Sequence, residues 1–495
     1  MNTRFTRILV NALALGAMWP VSSEAALAIP AAPEGAPVSS ARYGVRLREP
    51  GGAWKAAPVY AFFQQQDYNK ALTTESQFVT FEASGPVEVE VQVTGAAKSP
   101  VLRPLRHGLV VQQDGATLCF TMSDATRQLC LELNGDPRHP LLLFSSPPET
   151  DAPKAGDKRV TYFGPGYHKV KPIDRPGYFA WAKGMTIYLA PGAVVESSLN
   201  IFQNEGVTIR GRGILFTPHG EGKKAGNVPL TIKESKNVRV EGIVVVSRAD
   251  QWSVHAVTSR GVAFENFHLL SEIRDGLDII NSQDVTVRDS FLMAHDDALC
   301  LKGMWFGKGQ PVEHVLAERC IVANMGGGNG IELGFEANAP VIQHIVFRDM
   351  DLLYSLPNGE KPDPAWPEGA LTCHIHHTQG GVAASVRDVL FDDIRVEDLQ
   401  DDFLIDLHPL GGATNAVVDG VTFRNIRQLG GARRPSRIAG RKDFPVKNVT
   451  IENLHILGQP VSSATAGNFS TNAFVTGVDF KTTGGTTKRA TTTTP

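Results

Sequence analysis

The residues best equipped for chemistry in this chain are aspartates, and they come in two tight groups. Asp275 and Asp278 lie in RDGLD, and Asp296 and Asp297 are adjacent in HDDALCLKG. Asp275 and Asp297 are 22 residues apart, so they share a surface only if the chain coils with a repeat of about that length. Carboxylates held close repel one another, which keeps at least one protonated beside ionised neighbours. Hydrolysis of a glycosidic bond with inversion needs that arrangement: one acid protonates the leaving oxygen and another activates a water. Aspartates also stabilise turns by bonding their own backbone, and for Asp284 and Asp289 that role suffices.

The elements that position these groups are read from a repeat. Two polar or small residues, an apolar residue, any residue and another apolar one recur nine times. The copies are EGVTI (205–209), KNVRV (236–240), RGVAF (260–264), QDVTV (283–287), EHVLA (313–317), QHIVF (343–347), RDVLF (387–391), DGVTF (419–423) and KNVTI (447–451). Period-two alternation inside a repeat of about 20 residues predicts a β-solenoid whose turns bury their apolar faces on one another. The LxxLxL frame of leucine-rich repeats is absent, and propeller blades need longer units. The expected fold is all-β, with a right-handed parallel β-helix over 156–460.

A second strand in each turn is expected to point Leu277/Ile279, Leu299/Leu301, Ile331/Leu333 and Cys373/Ile375 inward. Asp278, Lys302, Glu332, His374, His376, Asp406 and His408 are then outward. Outward charges on a solenoid are usually a solvated face, but these lie beside the acids. Asn329, in GGGNGIELG, takes the place of Asp275 and Asp297 one turn on. Adjacent turns are ~4.8 Å apart, and Asp296 and Asp297 both reach one groove only if the chain bends between them.

Residues 42–155 show short alternating strands and turns with no helical period, which predicts a β-sandwich. Arg4 and Arg7 followed by ILVNALALGAMW and then SSEAALA predict a secretory signal peptide over 1–28, cut after Ala25 or Ala28. A Pro/Ala-rich linker is expected over 29–41, and a C-terminal extension over 461–495 ends in a disordered Thr-rich tail. The expected location is secreted or periplasmic. Five cysteines are no disulfide framework, but a hairpin turning at 123–126 would set Cys119 opposite Cys130, and one bridge is expected there. A net charge of −3 argues against nucleic acid, and no later segment is apolar enough to span a membrane.

The order DGxD, one turn, DD, one turn, GxG resembles the active-site motifs of glycoside hydrolase family 28, the polygalacturonases, and of the related family 49 dextranases. Family 28 usually reads NTDG-D, DD, GHG and RIK. This chain has RDGLD, HDDALCLKG and GNG, with no RIK after Asn329, where polygalacturonases carry a histidine in place of the asparagine. The sandwich ahead of the β-helix resembles the two-domain build of family 49, and the resemblance covers most of 42–460. It implies an inverting hydrolase needing no metal or cofactor, with Asp296 as general acid and Asp275 and Asp297 activating water. Lys302 and Arg274 are the cations left to meet an anionic sugar, in place of the missing Arg/Lys clamp. Trp252 and Trp305 flank the acids, where they either stack on sugar rings or simply pack.

The expected activity is therefore that of an exported glycoside hydrolase cutting α-linked polysaccharide or oligosaccharide. The competing readings are a β-helix polysaccharide lyase, which would use bound Ca²⁺ and a basic residue, and a non-catalytic carbohydrate-binding or adhesive β-helix.

Overall fold

The computed structural model describes residues 27–39, 41–65, 72–123, 127–170, 182–217, 228–357, 368–376, 383–412, 414–482 and 488–489. The expected signal peptide (except Leu27 and Ala28) and most of the Thr-rich tail lie outside them. No helix among the described residues is long and apolar enough to cross a membrane.

The nine repeat units form one continuous parallel ladder. Ile209, Val240, Phe264, Val287, Ala317, Phe347, Phe391, Phe423 and Ile451 are successive rungs of a single inward column. Phe347, Phe391 and Phe423 stack ring on ring at 4.9 and 4.8 Å. The polar residue before each first apolar position takes a left-handed conformation, as at Asn237 (φ 53°), Asp284 (φ 55°), Asp388 (φ 50°) and Asn448 (φ 53°). Only Gly, Asn, Asp and a few others adopt that conformation cheaply, which is why the second position of the repeat is always Gly, Asn, Asp or His. Asp289 (φ 51°) occupies a second such position; the carboxylates of Asp284, inside Gln283–Arg288, and Asp289 accept from Arg260 and Arg319 rather than from their own backbone as expected.

The earlier turns carry three strands, and from Val341 the first two merge, as in Val341–Ser355 and Ser385–Val396. In the turn holding Asp296 the three are Gln283–Arg288, Phe291–Ala294 and Leu299–Gly303. The coil runs past the expected boundary at 460. Val475–Lys481 adds a further rung on Val446–Glu452, and Phe480 is buried in the same core. The sequence there, TGVDF, is a tenth copy of the unit.

The sandwich has one sheet containing Leu72–Ala83, Gln128–Leu133 and Asp136–Ser146 and a second containing Tyr43–Arg48, Val87–Val93 and Thr117–Met122. Leu129, Leu131, Leu133, Leu141 and Leu143 fill the space between the sheets. The alternate residues Cys130, Leu142 and Phe144 face the other way and pack on Phe216, Val246, Leu270, Met293 and Tyr354 of the β-helix. The expected linker is fastened down: Ser39 N–H donates to Val59 O at 2.8 Å, and Ala32 and Ala36 pack against the interdomain core. Leu27–Ala28 pairs with Ala83 and Glu82, so a cut after Ala25 preserves this edge strand and one after Ala28 removes it.

The expected Cys119–Cys130 bridge is not formed; both thiols are free. Thr117–Met122 pairs with Val87–Val93 in one sheet, and Gln128–Leu133 pairs with Asp136–Ser146 in the other. The chain crosses between sheets here instead of forming a hairpin. Cys130 is sealed in the domain interface, 3.6 Å from the Tyr354 hydroxyl. The alternation was real, but the face taken for solvent is a second buried face.

Candidate active site

The acids sit at one corner of the solenoid, where the sheet facing the sandwich bends into the third sheet. Asp275 precedes Leu277–Ile280, Asp297 precedes Leu299–Gly303, and Asn329 opens Asn329–Ala337. Leu277, Leu299 and Ile331 are in register, so these three side chains hold equivalent places on successive turns. The chain bends at His295 and Asp296, which turns Asp296 and Asp297 to the same side. Oxygens of Asp275, Asp296 and Asp297 all lie within 4.8 Å of one another. Asp296 is half-buried, whereas Asp275 and Asp297 are buried.

Lys302 binds this group together. Its ammonium pairs with Asp275 and lies 3.3 Å from Asp278 Oδ1, 3.5 Å from Asp297 Oδ2 and 3.5 Å from Glu336 Oε2. Burial alone would lower the lysine pKa, but Asp275, Cys300, Asp278 and Glu336 outweigh it and raise it well above its ordinary value. Burial pushes the Asp275 carboxyl well up; Lys302 draws it back, and Asp296 and Asp297 add repulsion. Asp278 is raised by burial in the same way. One cation shared among so many carboxylates does not offset the burial of them all.

Asp297 is fixed from the next turn: Asn329 donates to its Oδ1 from the backbone at 3.0 Å and from Nδ2 at 2.8 Å. Gly328 (φ 75°) lies against the acid pair, and a Cβ there would collide with Asp296 Oδ1 and Asp297 Oδ1. The glycines of GGGNG thus let backbone approach the carboxylates closely.

The expected substrate contacts divide. Asp278, Glu332 and His374 are buried at 0 %, 0 % and 1 % exposure. Glu332 accepts hydrogen bonds from Thr372 Oγ1 and His374 N–H, and His374 lies between Glu332 (3.3 Å) and Asp406 (3.2 Å). Their side chains were correctly read as outward from the solenoid core, but neighbouring turns and loops cover them. Arg274 pairs with Asp250 at 2.9 Å on the rim. His376 stacks on Phe335 at 4.7 Å. Trp305 is 62 % exposed on a short 3-10 turn, Trp305–Gly307. Trp252 lies one turn before Asp275, with the Lys302 ammonium 5.2 Å from its ring centroid. Cys300, between Asp278 and Glu332 in register, was missed, although the LCLKG alternation marks it as outward. Its thiol lies 3.5 Å from Asp297 Oδ2. Asn324, whose Nδ2 reaches the Asp296 carbonyl at 2.8 Å, carries no signal in the sequence.

Two groups have cation-ligand chemistry, the three aspartates and His374, Asp406 and His408. The Lys302 ammonium already supplies positive charge to the first. In the second, Asp406 accepts two Arg437 donors at 2.9 and 2.6 Å. Burial opposes protonation of His374, but Glu332 and Asp406 raise its pKa to about 10. The raised value means that the stabilisation from its proton is complete below the ordinary 6.5 and lost as pH climbs towards 10. A melting series should therefore fall between pH 7 and 10. His374→Leu should melt lower and lose that slope; an unchanged slope would show that another group titrates.

No known family model matches the chain, and no curated protein does. Among solved structures it is similar to Dex49A from Penicillium minioluteum, with a TM-score of 0.63 at 14% identity over 90% of this chain and 94% of that one. A family 28 exopolygalacturonase from Yersinia enterocolitica gives 0.44 at 12% over 79% and 96%. A polygalacturonase from Erwinia carotovora ssp. carotovora gives 0.43 at 11% over 68% and 99%. The likeness to Dex49A shows the fold, a right-handed parallel β-helix, and its extent takes in the sandwich as well as the solenoid.

Proposed function

We propose that this chain is an exported glycoside hydrolase that cuts α-linked polysaccharide or oligosaccharide with inversion. The observation that carries the reading is the convergence of Asp275, Asp296 and Asp297 on one corner, with oxygens within 4.8 Å. Asp296, the more exposed, is the general acid that protonates the leaving oxygen. Asp275 and Asp297, held by Lys302 and Asn329, are the pair that orients and deprotonates the attacking water. The names of the similar structures, which include polygalacturonases, agree with a polymeric sugar substrate. Release of sugar from galacturonan, dextran or pullulan by purified protein tests the reading; inactivity on all of these and on other α-glucans would remove it.

A second stereochemical reading, retention, is favoured by the same short separation. Inverting acid and base stand ~6.5–9.5 Å apart, and retaining pairs ~5–5.5 Å. Inversion is preferred because Asp275 and Asp297 are both anchored to Lys302, which weakens either as a nucleophile and suits a shared water. The first product should be the β-anomer, visible by proton NMR in the first minutes before mutarotation. An initial α-anomer, or a glycosyl adduct on any of the three aspartates, would select retention.

A further inference from the structure

The corner that carries the acids borders the sandwich, and three successive turns are tied to it. Phe63 N–H donates to Glu272 Oε1 at 2.9 Å, three residues before Asp275. Gln64 Nε2 lies 4.0 Å from Met293 Sδ, three residues before Asp296. Arg138, on Asp136–Ser146, donates from Nη1 to the Met325 carbonyl at 3.0 Å. Met325 begins the segment that continues through Gly326, Gly327 and Gly328 to Asn329.

That segment controls where the carboxylates stand. Gly328 lies in contact range of Asp296 and Asp297, and Asn329 donates twice to Asp297. Asn324 Nδ2 joins the Gly327 carbonyl at 2.7 Å to the Asp296 carbonyl at 2.8 Å. Three consecutive glycines lose more backbone freedom on ordering than any other sequence, so this loop needs anchors. Arg138 anchors its start from another domain. Gly326 itself lies between the guanidinium and the residue preceding Asp296: a Cβ there would lie 3.3 Å from Arg138 Nη1 and 3.5 Å from His295 Cε1. The backbone of Arg138 is itself held, its carbonyl accepting from Ser76 Oγ at 3.0 Å and its N–H donating to Asp136 Oδ1 at 2.9 Å.

We propose that Arg138 is a positioning residue for the acids, supplied by the sandwich. It holds the glycine loop against Asp296 and Asp297, so the sandwich completes a site whose reacting groups all lie on the β-helix. The proposal rests on the hydrolase reading for its kinetic consequence but not for its structural one.

Displacing a catalytic group by about 1 Å costs on the order of 10²-fold in rate. Arg138→Ala in the full chain should therefore lower kcat by ~10–100-fold with little change in KM. Arg138→Lys, which keeps one donor for the Met325 carbonyl, should recover part of it. Independently of activity, hydrogen exchange at residues 326–329 should quicken in Arg138→Ala while Leu277–Ile280 and Gln283–Arg288 stay protected. Wild-type kcat and wild-type exchange in Arg138→Ala would overturn the proposal. So would faster exchange throughout the interdomain contact, which would make Arg138 a general interface residue. Should Arg138→Ala not fold, Arg138→Lys and Arg138→Gln decide by the same two readouts, Gln being expected to lose more kcat than Lys. If wild type cleaves no substrate, the hydrolase reading falls and exchange alone judges the loop anchor.

Discussion

Asp296→Asn is expected to lose about 10²–10⁴-fold in kcat, the contribution of a positioned general acid, while the protein folds and binds substrate normally. The substitution is isosteric and keeps the oxygen that accepts the Asp297 N–H at 3.1 Å, so the bend at 295–296 should survive. What it removes is the proton delivered to the leaving oxygen. Substrates whose leaving group departs without protonation, such as nitrophenyl glycosides, should therefore retain much more activity than the polysaccharide. Turnover of the natural polymer within tenfold of wild type would take the role from Asp296. Equal losses on both substrate types would point instead to damage to the water-activating pair.

Lys302→Met should be the most damaging single change, affecting both fold and chemistry. The ammonium is 3 % exposed and the only cation within 4 Å of Asp275, Asp278 and Asp297 among the described residues. Removing one partner of a buried pair typically costs ~3–5 kcal/mol, because the remaining charge stays buried without compensation. Asp275 and Asp278 already have raised pKa values, and loss of the lysine raises them further. A carboxyl whose folded pKa exceeds its unfolded value stabilises the fold below the unfolded value and loses that contribution as pH rises. The Lys302→Met deficit should thus shrink as pH falls from 8 to 5, read as the gap in melting temperature to wild type. Adding Asp278→Asn should restore part of the stability without restoring activity, since it removes a surplus carboxylate and leaves the water-activating pair unbalanced. A variant as stable as wild type at pH 8 would mean that the acids are compensated elsewhere.

Much of this architecture was legible because a solenoid is built from local rules. Each turn repeats the same left-handed position, the same two inward residues and the same alternation, so neighbours in space are recognisable as copies in sequence. That is how the nine-rung ladder and the equivalence of Asp275, Asp297 and Asn329 were readable from spacing. The tenth unit at 476–480 obeyed the rule and was overlooked through being counted with the tail. The inward set was also readable at Ile331/Leu333, while Leu371 and Cys373, not Cys373 and Ile375, are their partners on the next turn. An inserted loop between turns hides such a shift by two, because both settings keep the same side inward.

What the chain settled by itself was the coil, the order of its rungs and the presence of acids on adjacent turns, since these depend on backbone preferences and period-two burial. What only the tertiary structure decided was who faces whom across domains and turns. Cys130 alternates as the sequence said, yet its outer face is buried by the β-helix. Asp278, Glu332 and His374 point outward, yet lie buried, Asp278 pairing with Lys302 and Glu332 with His374. Lys302 became the shared counter-charge of the acids, and Arg138, from a different domain, reached the Met325 carbonyl at the start of the loop beside them. Alternation assigns a side chain to a face but says nothing of what covers that face, because the covering atoms come from residues far away in the chain.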